Sequence, residues 1–350
     1  MAAVTTPLAQ ATNMMTQIEL LKRLDPKGNV ANIAEVLNET NEVLDDVVFK
    51  EGNLPTGDEQ TIRTGLPDVY FKQHNRGIPP SHSTVASITE TCAEFVSRSQ
   101  IDASILELNG LQAQFRQSEE RPFIEAMGQS FAHELFYGNA KKNGEGFTGL
   151  STRYSTLDTK KAACAKNVID CGGTGENLTS IWIVGWGDNI YCPYPKGSQI
   201  GLKSNDWGKV LVPDDAGNQF GAYVTDYSWK VGLMVRDWAY AVRLCNIDPE
   251  DLIKGTGIGA GNIQTEGSMN LLMNLNLALA KIPRTSNVRL SMYMNSDVYA
   301  GLLNVATRTN INVVTFENGA NGINRATSGY FKSAVIRQCD QLINGEAQVR

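Results

Sequence analysis

The chain has 350 residues, 42% of them apolar and 19% charged, the proportions of a folded protein of about two domains with ample length for a core. Its 31 basic and 37 acidic residues leave a net charge of −6, which excludes a polycation that grips DNA by neutralising phosphates. No apolar run approaches the roughly 20 residues that a membrane-spanning helix needs. The opening MAAVTTPLAQATNMMTQ has neither the basic start nor the apolar stretch of a signal peptide. The expectation is a soluble globular protein made in the cytoplasm.

Residues 1–15 are small and polar and read as an arm. A short helix is expected over 16–24, stopped by Asp25-Pro26, and a second over 28–44, with Ile33, Val36, Leu37, Val43 and Leu44 at helical spacing. The tract 45–101 alternates β-rich runs (47–49, 61–66, 69–71) with charged turn segments, and ends in the strand-like STVASITETCAEFVSRSQI. It has too few large apolar residues to bury itself, so it reads either as a protruding β-hairpin that packs on something else or as an irregular loop-rich subdomain.

The clearest helix spans 118–138. Ser118 can cap it, Glu119 and Glu120 suit its N-terminal end, and Pro122 fits the first turn. Phe123, Ile124, Met127, Phe131 and Leu135 form its apolar stripe, and Gly138-Asn139 stops it after about 30 Å. A Gly-, Lys- and Thr-rich loop over 141–179 leads into a β-rich segment, 180–246, that holds all five tryptophans. Beyond Asp248-Pro249 come a Gly-rich loop, a helix near 266–281 and a strand alternating at Val288, Leu290, Met292 and Met294. A helix capped by Ser296 and the strand INVVTF complete a small α/β unit.

Sites for chemistry are not evident. None of Cys92, Cys164, Cys171, Cys192, Cys245 and Cys339 forms a CxxC pair, so small core residues are the expectation. Gly255-Thr-Gly257-Ile-Gly259-Ala260 fits the dinucleotide pattern, but the polar, Pro-containing NIDPEDLIK before it is no buried strand. A cytosolic nucleotide-binding enzyme built on that loop is therefore a remote alternative. His133-Glu134 opens an HExxH run, yet Tyr137 stands where the second histidine belongs, so His133 reads as a partly buried helix residue. Adjacent carboxylates such as Asp45-Asp46 and Asp214-Asp215 point apart and read as solvated. No catalytic, cofactor or metal site is expected, and the protein is not read as an enzyme.

An arm, a hairpin unstable alone, a long helix, a Trp-rich sheet and an α/β unit together argue for a self-assembling structural protein, since arms gain burial only on neighbouring copies. The stretches 66–92, 117–139, 147–154, 167–202, 228–248 and 334–349 resemble the major capsid proteins of tailed bacteriophages, in particular the podovirus group. The resemblance implies an α+β fold of the HK-ninety-seven capsid type. Residues 1–44 then resemble the N-terminal arm and 45–90 the extended loop over a neighbouring subunit. Residues 91–250 resemble the peripheral domain, with its spine helix at 118–138 and sheet at 180–246, and 251–350 the axial domain. Too few residues follow 337 to build a returning sheet, so a rearranged strand order is expected, with the peripheral sheet made before the axial domain.

The function so implied is a shell subunit: hexamers and pentamers close into an icosahedral capsid around double-stranded DNA, held without sequence-specific contacts. The alternative with the same fold is an encapsulin-like compartment. Expected partners are other copies, a scaffolding protein, a portal protein and a cement protein; the expected location is the virion, after assembly in the host bacterial cytoplasm. Some relatives join subunits through a Lys–Asn isopeptide bond, for which no motif is evident here. Candidate inter-subunit residues on the extended loop are Lys50, Glu51, Asp58, Glu59, Arg63, Lys72 and Arg76, with solvated charge as the plain alternative for each.

Overall fold

The computed structural model describes residues 41–72, 74–107, 112–142, 144–214, 217–254, 271–283, 288–309, 315–316 and 329–350. The arm, the helix expected over 16–24, most of that over 28–44 and the 255–260 loop lie outside them. The strands are β1 (Phe49–Glu51), β2 (Gly57–Gly65), β3 (Thr84–Thr91), β4 (Ala93–Asp102), β5 (Val168–Asp170), β6 (Thr179–Trp186), β7 (Ile190–Tyr194), β8 (Lys203–Pro213), β9 (Gln219–Val231), β10 (Met234–Val235), β11 (Ala241–Ile247), β12 (Arg289–Met294), β13 (Thr315–Phe316), β14 (Gly329–Phe331) and β15 (Ala334–Gln338). No described helix is long and apolar enough to cross a membrane.

The chain divides into two compact units. Among the described residues, one comprises Glu94–Ser130 and Gly201–Trp229. Its sheet has the order β4-β9-β8, and β8 and β9 form a long antiparallel hairpin. The part of the long helix Gln112–Tyr137 that belongs to this unit lies on the sheet. Phe123 stacks on Tyr227 at 5.6 Å, and Arg116 reaches Thr225 at 3.1 Å and Asp206 at 2.7 Å. Arg98 forms a two-pronged pair with Asp226, whose carboxylate also accepts the Trp207 indole N–H at 2.8 Å.

The other unit comprises Glu39–Ala93, Phe131–Ile200 and Lys230–Arg350. Its centre is a mixed sheet with the order β13-β14-β15-β12-β6-β11-β5. All eight residues of β6 are buried, because β11 and β12 flank it in antiparallel register and aromatic side chains cover it. Phe136 packs on Trp182 at 6.1 Å and Tyr293 at 5.8 Å, Tyr154 meets Trp182 edge-on, and the Trp186 indole donates to the Tyr293 hydroxyl. Each aromatic ring so buried removes on the order of 150–250 Å² from water. Beneath the sheet, Arg243 donates to Glu346 at 2.8 Å, to Ser180 and to the Tyr154 carbonyl, and so ties the end of the described chain to β11. A smaller sheet, β1-β7-β10, lies in the same unit.

Several expectations are corrected. The peripheral sheet expected from 180–246 does not exist as one body. Residues 179–186 and 241–247 pair into the same sheet as 289–294 and 334–338, and only 203–231 form the separate β8–β9 hairpin. A strand as apolar as β6 needs partners on both edges, and sequence order does not say which.

The long helix begins at Gln112, not Ser118, so Pro122 sits in its interior. The Arg116 contacts hold the turns that precede the proline, a tertiary override of local propensity. Met127, Phe131 and Leu135 are buried as expected, but Ile124 is half-exposed. The helix over 296–309 is capped by Asn295, whose Oδ1 accepts from Val298 N at 2.9 Å, with Ser296 as its first residue. Residues 69–71 form no strand, and the run 83–101 is two strands broken at Cys92. Of the apolar residues expected on the 28–44 helix, Val43 is buried and Leu44 exposed in a 3-10 turn, Glu42–Asp45.

Candidate assembly site

The two-stranded hairpin of β2 and β3 runs in antiparallel register from Gly57 opposite Thr91 to Gly65 opposite Thr84. At its base the backbones approach so closely that a Cβ on Gly57 would lie 2.0 Å from the Glu90 carbonyl oxygen, which requires glycine. Three contacts fix that base. Arg153 donates from Nη1 to Glu90 Oε1 at 2.7 Å and from Nη2 to Oε2 at 2.8 Å, and also to the Thr148 carbonyl. The Tyr191 hydroxyl donates to Asp58. Asn53 brackets Glu59, with Glu59 N donating to Asn53 Oδ1 at 2.8 Å and Asn53 Nδ2 donating to the Glu59 carbonyl at 2.6 Å.

Away from the base the hairpin loses its cover. The connecting segment carries Leu66 at 81% exposure, Val69 at 92%, Phe71 at 103% and Ile78 at 56%. Four large apolar side chains on one short segment form an apolar patch left open among the described residues. Asp68 orders part of the segment by accepting from Tyr70 through its carboxylate and from Ser81 through its carbonyl.

The seven charged candidates occupy different environments. Lys50 donates to Asp188 and lies over the Tyr191 ring, and that hydrogen bond holds the Asp188 carboxyl below its usual range. Glu51 accepts from Gly197 N at 2.9 Å, and Glu59 accepts from the Ser87 hydroxyl. Asp58 is 2% exposed and engages Tyr191, Gln60 and Asn53 N within the subunit. Asp58, expected as an inter-subunit contact, instead faces the interior of its own subunit, and its burial is tolerable only because these donors satisfy the carboxylate. Arg63, Lys72 and Arg76 are exposed. The exposed apolar residues are what charge-based reasoning passed over; the signal was the VYF run in a turn-rich tract, read as a strand.

No group of three or more His, Cys, Asp or Glu residues suited to a metal ion occurs among the described residues. Burial, together with the Asp58 charge, raises the Cys92 thiol to about 11, and burial raises Cys192 as well. His133 is exposed rather than partly buried, lying against Tyr137, whose hydroxyl donates to Glu346 at 2.5 Å. Residues Pro249–Lys254, ahead of the 255–260 loop, form a helix, where a dinucleotide fingerprint requires a strand.

A long helix on a three-stranded sheet, a second unit around a mixed sheet and an exposed hairpin define a phage capsid subunit of the HK-ninety-seven type. The solved structure of bacteriophage Epsilon15 matches with a TM-score of 0.74 at 24% identity, over 100% of this chain and 99% of that one, which shows the fold. The bacteriophage JBD30 capsid matches at 11% identity over 89% of this chain and 95% of that one, with a TM-score of 0.49. The model of the family described as major capsid protein GP7 matches residues 25–350, and the chain belongs to that family. It is a structural protein of a bacteriophage capsid, and neither the encapsulin nor the nucleotide-enzyme reading is favoured. No curated protein matches it.

Proposed function

We propose that copies of this chain form hexamers and pentamers that close into an icosahedral shell around double-stranded DNA, with the β2–β3 hairpin lying over the neighbouring subunit. The observation that carries this reading is the pairing of a firmly anchored hairpin base with a fully exposed apolar end. Such an end gains burial only on assembly, and each modest contact multiplies around a ring. In this reading the unit containing β4, β8 and β9 is the peripheral part and the seven-stranded sheet belongs to the axial part. Residues 1–44 act as the arm, and Arg63, Lys72 and Arg76 pair with a neighbour at the rim of the apolar contact.

Assembly takes place in the host bacterial cytoplasm with a scaffolding protein and a portal protein, and a cement protein supplements noncovalent cohesion. The acidic balance of −6 suits a container whose genome must move during packing, and the subunit has no enzymatic role. Replacing residues 66–80 by a short Gly-Ser turn tests the reading. The expected product is a folded subunit that no longer forms particles; particles formed as readily as by the parent chain refute the hairpin's role.

A further inference from the structure

Cations gather around one loop of the unit that holds the seven-stranded sheet. Lys160, Lys161 and Lys166 are exposed, and among the described residues no carboxylate side chain pairs with their ammonium groups. Lys281 ends the helix Leu271–Lys281 and donates to the Lys166 carbonyl, which brings another ammonium to the same loop. Burial pushes the pKa of Lys281 down, the direction a cation takes where no anion answers it. Arg350 is exposed beside the loop, where its carbonyl accepts from Leu157 N at 3.2 Å and from Thr156 Oγ1 at 3.1 Å.

The loop presents these charges on a fixed frame. Asp158 Oδ1 accepts from Lys160 N at 2.9 Å and the Asp158 carbonyl from Lys161 N at 3.1 Å, so the carboxylate inside the run closes a turn. Beyond it, Asn167 Nδ2 donates to the carbonyls of Ala239 and Ala241, each at 3.0 Å, and Ala165 is buried. Asp237, close to that anchor, accepts from Ala239 N at 2.9 Å.

We infer that this loop is where the subunit touches the phosphate backbone of the enclosed double-stranded DNA, and so faces the inside of the shell. This rests on the shell proposed above and adds to it the side on which the DNA lies. The charge selects the occupant: unanswered positive charge in a chain of net charge −6 fits a polyanion, and the polyanion inside the proposed shell is DNA. Lysine meets phosphate as a point charge and reads no base. So few cations per subunit give a weak contact, its affinity falling with salt by roughly 0.9 log units for each phosphate neutralised. Repetition over many subunits makes that contact count, while the DNA stays free to move during packing.

Acetylation of lysines by a water-soluble succinimidyl ester, read by peptide mass spectrometry, tests this on particles of the unaltered chain. Lys160, Lys161 and Lys166 are expected to react several-fold more slowly in DNA-filled particles than in emptied ones. Lys72, assigned a protein contact, is expected to react equally in both. Equal rates for the loop lysines refute the DNA contact and leave the shell standing. Protection found in DNA-free particles that carry a scaffolding protein, and absent from filled ones, assigns the loop to a protein and overturns the inference. A chain that forms no particles overturns the shell, and this inference with it. The triple variant Lys160→Gln/Lys161→Gln/Lys166→Gln gives a second check in filled particles. Formaldehyde is expected to join several-fold less DNA to its subunits than to the parent's, and an equal yield refutes the contact.

Discussion

Arg153 and Glu90 meet through two parallel hydrogen bonds of 2.7 and 2.8 Å, with both side chains mostly buried at 20% and 14% exposure. This pair holds the second strand of the hairpin at its root, while the other end of the hairpin is left uncovered among the described residues. Removing Arg153 leaves the mostly buried Glu90 carboxylate unmatched. Arg153→Ala is therefore expected to cost about 1–3 kcal/mol in urea unfolding and to hasten proteolysis within 66–83. Arg153→Lys recovers part of the loss, since a point charge cannot reproduce the fork. Unchanged proteolysis contradicts the anchoring role.

The buried pair of Arg243 and Glu346, each 5% exposed at the side chain, is a stricter case. Breaking a buried ion pair from one side typically costs about 3–5 kcal/mol, and here Ser180 and the Tyr137 hydroxyl also lose their acceptor. Glu346→Ala is expected to fall in that range by chemical denaturation, and Glu346→Gln to cost less because the amide oxygen still accepts. A loss below about 1 kcal/mol for Glu346→Ala shows that the strap is peripheral to stability.

Phe71 supplies the opposite signature. Its side chain is fully exposed, so Phe71→Ser is expected to leave the subunit's melting temperature within a degree or so, surface changes being close to neutral. Assembly, followed by light scattering, is expected to need a several-fold higher protein concentration. Loss of subunit stability without loss of assembly contradicts the docking role.

Acid sensitivity follows from Asp206 and Asp226. Hydrogen bonds from Arg116 and from Arg98 hold their carboxyls below the ordinary aspartate value of 3.8. A carboxyl with a depressed folded-state pKa contributes stability that is present above its unfolded value and lost as pH falls through the folded one. Stability is therefore expected to be flat in this respect down to about pH 4 and to decline below 3.8. The decline is shallower in the double variant Arg98→Met/Arg116→Met. Urea midpoints measured from pH 6 to pH 2.5 check this, and identical profiles contradict it.

The elements that sequence reading located are those whose signal is local. The apolar stripe Met127, Phe131 and Leu135 marks a helix wherever it packs, and the turn-rich charged tract around β2 and β3 marks a hairpin. The start of the long helix was hidden because Pro122 suits a first turn and so points to a start just before it, whereas Arg116 is held by Asp206 and Thr225 from distant sequence. The partnership of β6 with β12 was hidden for a related reason. A strand buried on both faces has no alternation to orient it, and its edge partners come from far along the chain. The assembly site was read through its charges, of which Asp58 serves the interior, while the exposed Leu66, Val69 and Phe71 looked like an ordinary strand.

The central claim, that this chain builds a closed shell, is tested most directly by negative-stain imaging and sizing of the purified protein, alone and with a scaffolding protein. Closed icosahedral particles, or hexamers and pentamers that convert into them, are the predicted result. A stable monomer or dimer that never assembles, even with scaffolding protein supplied, contradicts the account.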